Sequence, residues 1–345
     1  MKAVIFRRHG GPEVLELADV PDPSPGPDDV LVRVKACALN YLDLWIRQGI
    51  PAYRITLPHI SGCDVAGIIE QVGSKVRQWK PGDAVVLAPG LTCGACEWCR
   101  RGEDNLCVSF GIRGAAVDGG YAELTVARAR DVLRLPSGVS FEEAAAYPLV
   151  FLTAWHMLTG RAGLNAKERV LVQAAGSGVG HAAIQIARHL GATVYGTVGS
   201  PAKLAKANAL GAAAVINYRQ EDVQARIREL TDGRGVDVVI EHIGPQTWES
   251  SLRSLAKAGR LVTCGASSGP DVPLDLRYVF SRQLSILGSM MGTREELDAV
   301  TELIGRRVLK PVIDTVYPLA QARAAQERML SRNVFGKLVL RPDLT

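Results

Sequence analysis

The chain has 345 residues and sets 40 Lys and Arg against 35 Asp and Glu, a net charge of +5 with no basic block, which argues against nucleic-acid binding. Hydrophobic residues at 47% and charged residues at 22% are those of an ordinary globular protein, and the length predicts two domains. The uncharged stretch 144–160 is broken by Pro148, Thr153 and His156 and falls short of the roughly 20 apolar residues of a membrane span, so it reads as buried core.

Arg7 and Arg8 end the first apolar run too early for a secretory signal, and a cytoplasmic location is expected. There, clustered cysteines are metal ligands more often than disulfides. The first 130 residues are rich in Gly and Pro and carry short apolar runs at 30–37, 65–73 and 82–88, which predict a mostly β domain. Within it, LTCGACEWCRRGEDNLC (91–107) places Cys93, Cys96, Cys99 and Cys107 in a C-x2-C-x2-C-x7-C spacing. Four thiolates fill a tetrahedral Zn2+ shell and leave no open position, so the cluster predicts a structural zinc.

From about Lys167 strands and helices alternate. Strands are predicted at 169–175, 192–198, 212–217, 236–241, 260–265 and 284–289, with helices after each of the first four at 181–192, 201–211, 221–230 and 246–259 and another at 295–304. Such alternation implies a doubly wound parallel sheet, a Rossmann domain. The turn after its first strand reads AAGSGVG, with Gly176, Ser177, Gly178, Val179 and Gly180 placed to let a pyrophosphate approach the backbone at a helix N-terminus. No acidic residue occurs between His181 and Gln220 to bind a ribose 2′-hydroxyl, while Ser200, Lys203 and Lys206 follow the second strand. That pattern favours a 2′-phosphate, hence NADPH. Ligands in such sheets lie outside the carboxyl ends of the strands, so His242, Ile243, Gly265, Ala266 and Ser289 are expected along the nicotinamide side.

ALNYLDLWIRQG (38–49), DGGYAEL (118–124), EEAAAYPLVFLTAW (142–155), AAGSGVG and VFGKLVL (334–340) together resemble the medium-chain dehydrogenase/reductase superfamily, nearest its quinone oxidoreductase branch. The resemblance implies an α/β protein with a GroES-like, mostly β catalytic domain over 1–130 and 305–345, and a Rossmann cofactor domain over 131–304. It implies that Lys203, Tyr218 and Arg332 gather round the 2′-phosphate, and that the four-cysteine lobe is the structural-zinc lobe of the zinc alcohol dehydrogenases. A catalytic zinc in those relatives takes a Cys, a His and a third ligand near mid-chain. The matching positions here hold Cys37, then Cys63 and Asp64 in SGCDVAG, and Leu149, which cannot bind metal.

The expected activity is therefore hydride transfer from NADPH to a quinone or α,β-unsaturated carbonyl without catalytic zinc. Asn40 and Tyr41 lie in the stretch that flanks the nicotinamide in relatives. They are the candidates for orienting the carbonyl, and Tyr41 for giving the proton. Asp43 and His59 are expected to serve structure. Two alternatives stand: a zinc-dependent alcohol dehydrogenase built on Cys37, Cys63 and Asp64, and a catalytically silent nucleotide-binding protein. The expected partners are a small-molecule substrate and further copies of the chain, as a homodimer or homotetramer.

Overall fold

The computed structural model describes residues 1–51 and 53–344. The chain divides into two compact units, Met1–Leu149 with Thr293–Thr345, and Val150–Gly292. The sequence-based limits lay at 130/131 and 304/305. Tyr147 and Thr301 share a hydrogen bond of 3.0 Å, and Arg294 donates to the carbonyl of Arg130 at 2.8 Å, so the stretches between the two sets of limits are tied into the first unit.

The spine of the first unit is the strand Asp29–Ala38, whose apolar side chains bury Val30, Val32 and Val34. It pairs antiparallel with Asp64–Val72, Leu124–Arg128 and, at its carboxyl end, Lys337–Arg341. Ala38 is thereby opposite Asp64 on one side and Val339 on the other. Two β-ladders thus bring residues from three distant parts of the chain to one place. Val65, Ile69, Val85, Leu87, Leu338 and Leu340 complete the core around this point, and the C-terminus returns to the first unit.

The second unit is a six-stranded parallel sheet. Its strands in chain order are Arg169–Val172, Thr193–Val198, Ala214–Asn217, Val236–Glu241, Leu255–Thr263 and Ser285–Gly288. In space they run third, second, first, fourth, fifth, sixth. The order reverses between the first and fourth strands, which opens a crevice at their carboxyl ends. The first three are runs of β-branched and apolar residues, as expected of strands covered on both faces.

One element differs from the sequence reading. The helix expected over 246–259 spans only Trp248–Ser254, and the fifth strand begins at once with Leu255. Leu255 and Ala256 are fully buried, and Leu255 lies opposite Val236 before the register shifts, with Ala258 in the left-handed region at φ 59°. Sheet pairing here outweighs the helix propensity of Leu, Ala and Lys. The uncharged stretch forms the helix Pro148–His156 and a following π turn, Met157–Arg161, both largely buried. Among the described residues no helix is long and apolar enough to cross a membrane.

Candidate active site and metal centre

The four-cysteine lobe folds by turns that its glycines permit: Gly94 and Gly102 stand at φ 73° and 80°. The Sγ atoms of Cys93, Cys96, Cys99 and Cys107 all lie within 4.8 Å of one another. Cys93 and Cys99 are 3.9 Å apart, and Cys96 and Cys99 3.5 Å. A tetrahedron of Zn–S bonds of about 2.3 Å has edges of about 3.8 Å, so the group fits the ion. Backbone N–H groups already point at the sulfurs: Cys93 N donates to Cys107 Sγ at 3.2 Å, and Cys96 N to Cys93 Sγ at 3.2 Å. The N–H of Cys93 is the main cause that lowers the Cys107 thiol to about 6, whereas burial and the Cys96 sulfur raise the Cys99 thiol to about 11. Arg128 and Arg130 fasten the lobe from outside, donating to the carbonyl of Thr92 at 2.8 and 2.5 Å. Four sulfur ligands would leave no vacancy for substrate on an ion held here, so the cluster fits a structural zinc.

The second centre forms where Asp29–Ala38, Asp64–Val72 and Lys337–Arg341 meet. Asp64 is wholly buried and both its oxygens are engaged. Oδ1 accepts the N–H of Leu149 at 2.9 Å, while Oδ2 accepts Asn40 Nδ2 at 2.8 Å and Lys337 Nζ at 3.2 Å. Lys337, 2% exposed, also donates to Asn40 Oδ1 at 2.6 Å. The second hydrogen of the Asn40 amide goes to Cys63 Sγ at 3.2 Å. Burial and the nearby carboxylates push the Cys37 and Cys63 thiols well above their ordinary value, keeping both protonated.

Cys37, Cys63 and Asp64 form no metal-sized group among the described residues. The Asp64 carboxylate is already engaged by an ammonium and two N–H groups. An open zinc site on these residues does not fit the arrangement.

Asn40 and Tyr41 open the helix Tyr41–Gln48. The structure leaves Asn40 no spare amide hydrogen, because its oxygen and both hydrogens are held by Lys337, Asp64 and Cys63. Tyr41 is half-buried, stacks edge-on with Trp45 at 5.4 Å, and its hydroxyl has no hydrogen-bond partner among the described residues. Asp43 accepts Asn40 N at 2.8 Å, Tyr121 Oη at 3.0 Å and Gly62 N at 3.2 Å, tying the helix start to two other segments. Burial raises it to about 6, against the N–H of Asn40 and the hydroxyl of Tyr121. His59 is satisfied by the carbonyl of Gly114 at 2.8 Å.

Lys337 was not singled out from sequence. A single lysine inside the apolar run VFGKLVL was the available signal, since a charge in a buried strand requires a partner.

In the second unit the glycine turn joins the first parallel strand to the helix Gly178–His189. Ser177 caps that helix, accepting Gly180 N at 2.8 Å, and shares a 3.2 Å hydrogen bond with His242 Nε2. A Cβ on Gly180 would collide with the carbonyl of Ala174, so only glycine lets helix and strand approach there. Burial lowers His242 and favours the neutral ring. Ile243, Gly265, Ala266 and Ser289 all follow the carboxyl ends of the fourth, fifth and sixth strands, and Ser289 N bonds to Thr263 O at 2.9 Å. At the end of the second strand, Ser200 precedes the helix Pro201–Ala209 with its hydroxyl unused as a cap, and Tyr218 lays its phenol over Gly199. Lys203 is one turn into that helix, while Arg332 belongs to the first unit. Two of these features fit a dinucleotide: a tight glycine turn at a helix start, and no carboxylate at the second strand end.

Comparison with known proteins agrees. The alcohol dehydrogenase GroES-like domain matches residues 26–137, and the zinc-binding dehydrogenase family matches 178–306. The quinone oxidoreductase of Pseudomonas aeruginosa is 36% identical over 99% of both chains. Among solved structures, an NAD-dependent alcohol dehydrogenase superposes with a TM-score of 0.96 at 47% identity, covering 99% of each chain. A cobalt- and zinc-bound thermostable alcohol dehydrogenase from Pyrobaculum aerophilum gives 0.91 at 34% identity, again covering 99% of each. The chain belongs to the medium-chain dehydrogenase/reductase superfamily, an oxidoreductase family that works with a nicotinamide cofactor.

Proposed function

We propose that the chain transfers hydride from NADPH to a quinone or an α,β-unsaturated carbonyl compound without a catalytic metal, and carries one structural Zn2+. The observation that carries this reading is the engagement of Asp64 by Lys337 and Asn40, which leaves no carboxylate for an open zinc site. Without a Lewis acid an alcohol oxygen is hard to deprotonate near neutral pH, whereas a quinone or enone carbon is already electrophilic.

When bound, the reduced nicotinamide supplies the hydride. The chain holds the helix start at residue 40 through Asp43 and Lys337, so that Tyr41 presents an unengaged hydroxyl. As hydride adds to carbon, the oxygen at the other end of the conjugated system gains charge and takes a proton from Tyr41 or water. Asn40, with its amide fully engaged, serves this reading by fixing the loop.

The preference for NADPH rests on the missing carboxylate and on Ser200, Lys203 and Tyr218 near the second strand end, with Arg332 added by family resemblance. The test is steady-state kinetics with NADPH and NADH on a quinone and enone panel. Lys203→Ala should raise KM for NADPH roughly tenfold, about 1.4 kcal/mol, and leave that for NADH unchanged. Equal use of both cofactors by the unaltered chain would remove the NADPH assignment.

A second reading, alcohol oxidation on zinc held by Cys37, Cys63 and Asp64, is favoured by the alcohol dehydrogenases among the structural neighbours. Alcohol turnover abolished by a chelator would establish it. Binding of NADPH with no turnover of any substrate would support a silent nucleotide-binding protein instead.

The same reading places the protein in the cytoplasm as a homodimer or homotetramer. The sixth strand, Ser285–Gly288, is an open sheet edge, and Leu276 and Phe280 in the helix before it are 67% and 70% exposed. An uncovered edge beside large apolar side chains suits pairing with a second copy. Sedimentation of the full chain tests this.

A further inference from the structure

The carboxyl end of the fourth parallel strand carries a buried carboxylate that none of the foregoing roles uses. Glu241 is 0% exposed. Its Oε1 accepts the N–H groups of Ile243 at 2.6 Å and Gly244 at 3.2 Å. Its Oε2 accepts Ser251 Oγ at 2.6 Å and Thr247 Oγ1 at 2.8 Å. Ser251 in turn accepts Gln173 Nε2 at 2.9 Å, which commits the serine proton to Glu241. Gln173 follows the first strand, and its Oε1 accepts Thr197 Oγ1 at 2.7 Å from the end of the second strand. Every neighbour is a donor, so the group that fits is the acceptor-only carboxylate. No Lys or Arg lies within ion-pair distance of it among the described residues.

The position matters as much as the charge. The first and fourth strands flank the reversal of strand order, where an open parallel sheet binds its ligand outside the carboxyl ends. His242, the next residue, contacts Ser177 of the glycine turn across that crevice. A buried, unneutralised negative charge therefore sits at the floor of the cofactor crevice. Such a charge is expensive to bury and offers no advantage to an anionic pyrophosphate.

We propose that Glu241 is a fixed charge that favours the oxidised over the reduced nicotinamide, making the bound cofactor a stronger hydride donor. The inference rests on the proposed reading that a nicotinamide cofactor occupies this crevice. Hydride leaves the reduced ring with two electrons for the electrophilic carbon of the quinone or enone. The ring becomes one unit more positive, and the proton on the substrate oxygen comes from Tyr41 or water. Only the oxidised ring bears the charge that Glu241 attracts. As a general scale, a unit charge at about 10 Å in an effective dielectric of about 20 changes such an equilibrium on the order of tenfold, and the effect grows at shorter range.

The test is the ratio of the dissociation constants of NADP+ and NADPH, measured by calorimetry and nicotinamide fluorescence on the full chain. Glu241→Gln keeps the shape and removes the charge, and should weaken NADP+ relative to NADPH by about tenfold. Glu241→Asp keeps the charge and should hold the ratio near that of the unaltered chain. Thr247→Lys sets an ammonium beside the carboxylate from a half-exposed position, and should shift the ratio as Glu241→Gln does; it decides the matter should Glu241→Gln not fold. A structural role alone would weaken both forms together. An unchanged ratio in a folded Glu241→Gln or Thr247→Lys chain would overturn the proposal while leaving the cofactor reading intact. If the unaltered chain binds neither form, both fall; if it binds only NAD+ and NADH, the phosphate assignment fails and the same ratio, taken on that pair, decides.

Discussion

Cys93, Cys96, Cys99 and Cys107 face one another with backbone N–H groups turned toward their sulfurs, whereas Cys37 and Cys63 stand beside an aspartate already held by a lysine. The first group lies in a half-exposed lobe that can hold thiolate charge. The second lies in the core, where burial pushes the thiols well above their ordinary value and the Lys337 ammonium holds the Asp64 carboxylate. Cysteine alone does not make a metal site. What decides is whether enough ligands converge and whether another cation has already claimed them.

That contrast can be broken by substitution. Cys107→Ser should have the largest effect, because structural zinc contributes about 10 kcal/mol of apparent binding energy in small domains. Zinc should fall from one per chain towards none, and the melting temperature should drop sharply in calorimetry. Lys337→Met comes next: it leaves the buried Asp64 without its counter-charge, at an expected cost of about 3–5 kcal/mol in urea unfolding, with zinc content unchanged. In an Asp64→Asn background the same substitution should cost much less, since the charge it strands is gone.

Asp43 gives a pH test of the same core. Its folded value of about 6 lies above the unfolded 3.8, so the folded state binds the proton more tightly. The stability it contributes is fully present below about pH 4 and is lost as pH rises through 6, a change of about 3 kcal/mol. Unfolding at pH 4 and pH 7 should therefore show the unaltered chain losing most of that relative to Asp43→Asn. A pH-independent difference between the two would contradict it. The smallest effect is expected of Cys63→Ala, which removes a neutral buried thiol and a weak acceptor for Asn40: about 1 kcal/mol, with zinc still at one per chain.

Much of this was legible in the sequence. The alternation of apolar strands with helices gives the parallel sheet, and the spacing of the four cysteines gives the convergence of their sulfurs, because both depend on local pattern. The Lys337–Asp64–Asn40 cluster was not legible, because it joins residues from the first 65 positions to one near the end through a β-ladder whose register no local pattern states. Glu241 escaped for the same reason. At the end of the strand VDVVIE it resembles an ordinary polar stop, and only the packing of Gln173 and Ser251 shows that it is sealed inside.

The proposed function requires one closed metal centre and one metal-free centre in the same unit. Anomalous scattering at the zinc edge, on crystals grown with added Zn2+, tests it most directly. The proposed function predicts a single peak among the sulfurs of Cys93, Cys96, Cys99 and Cys107; a second peak within bonding distance of Cys37 and Cys63 would contradict it.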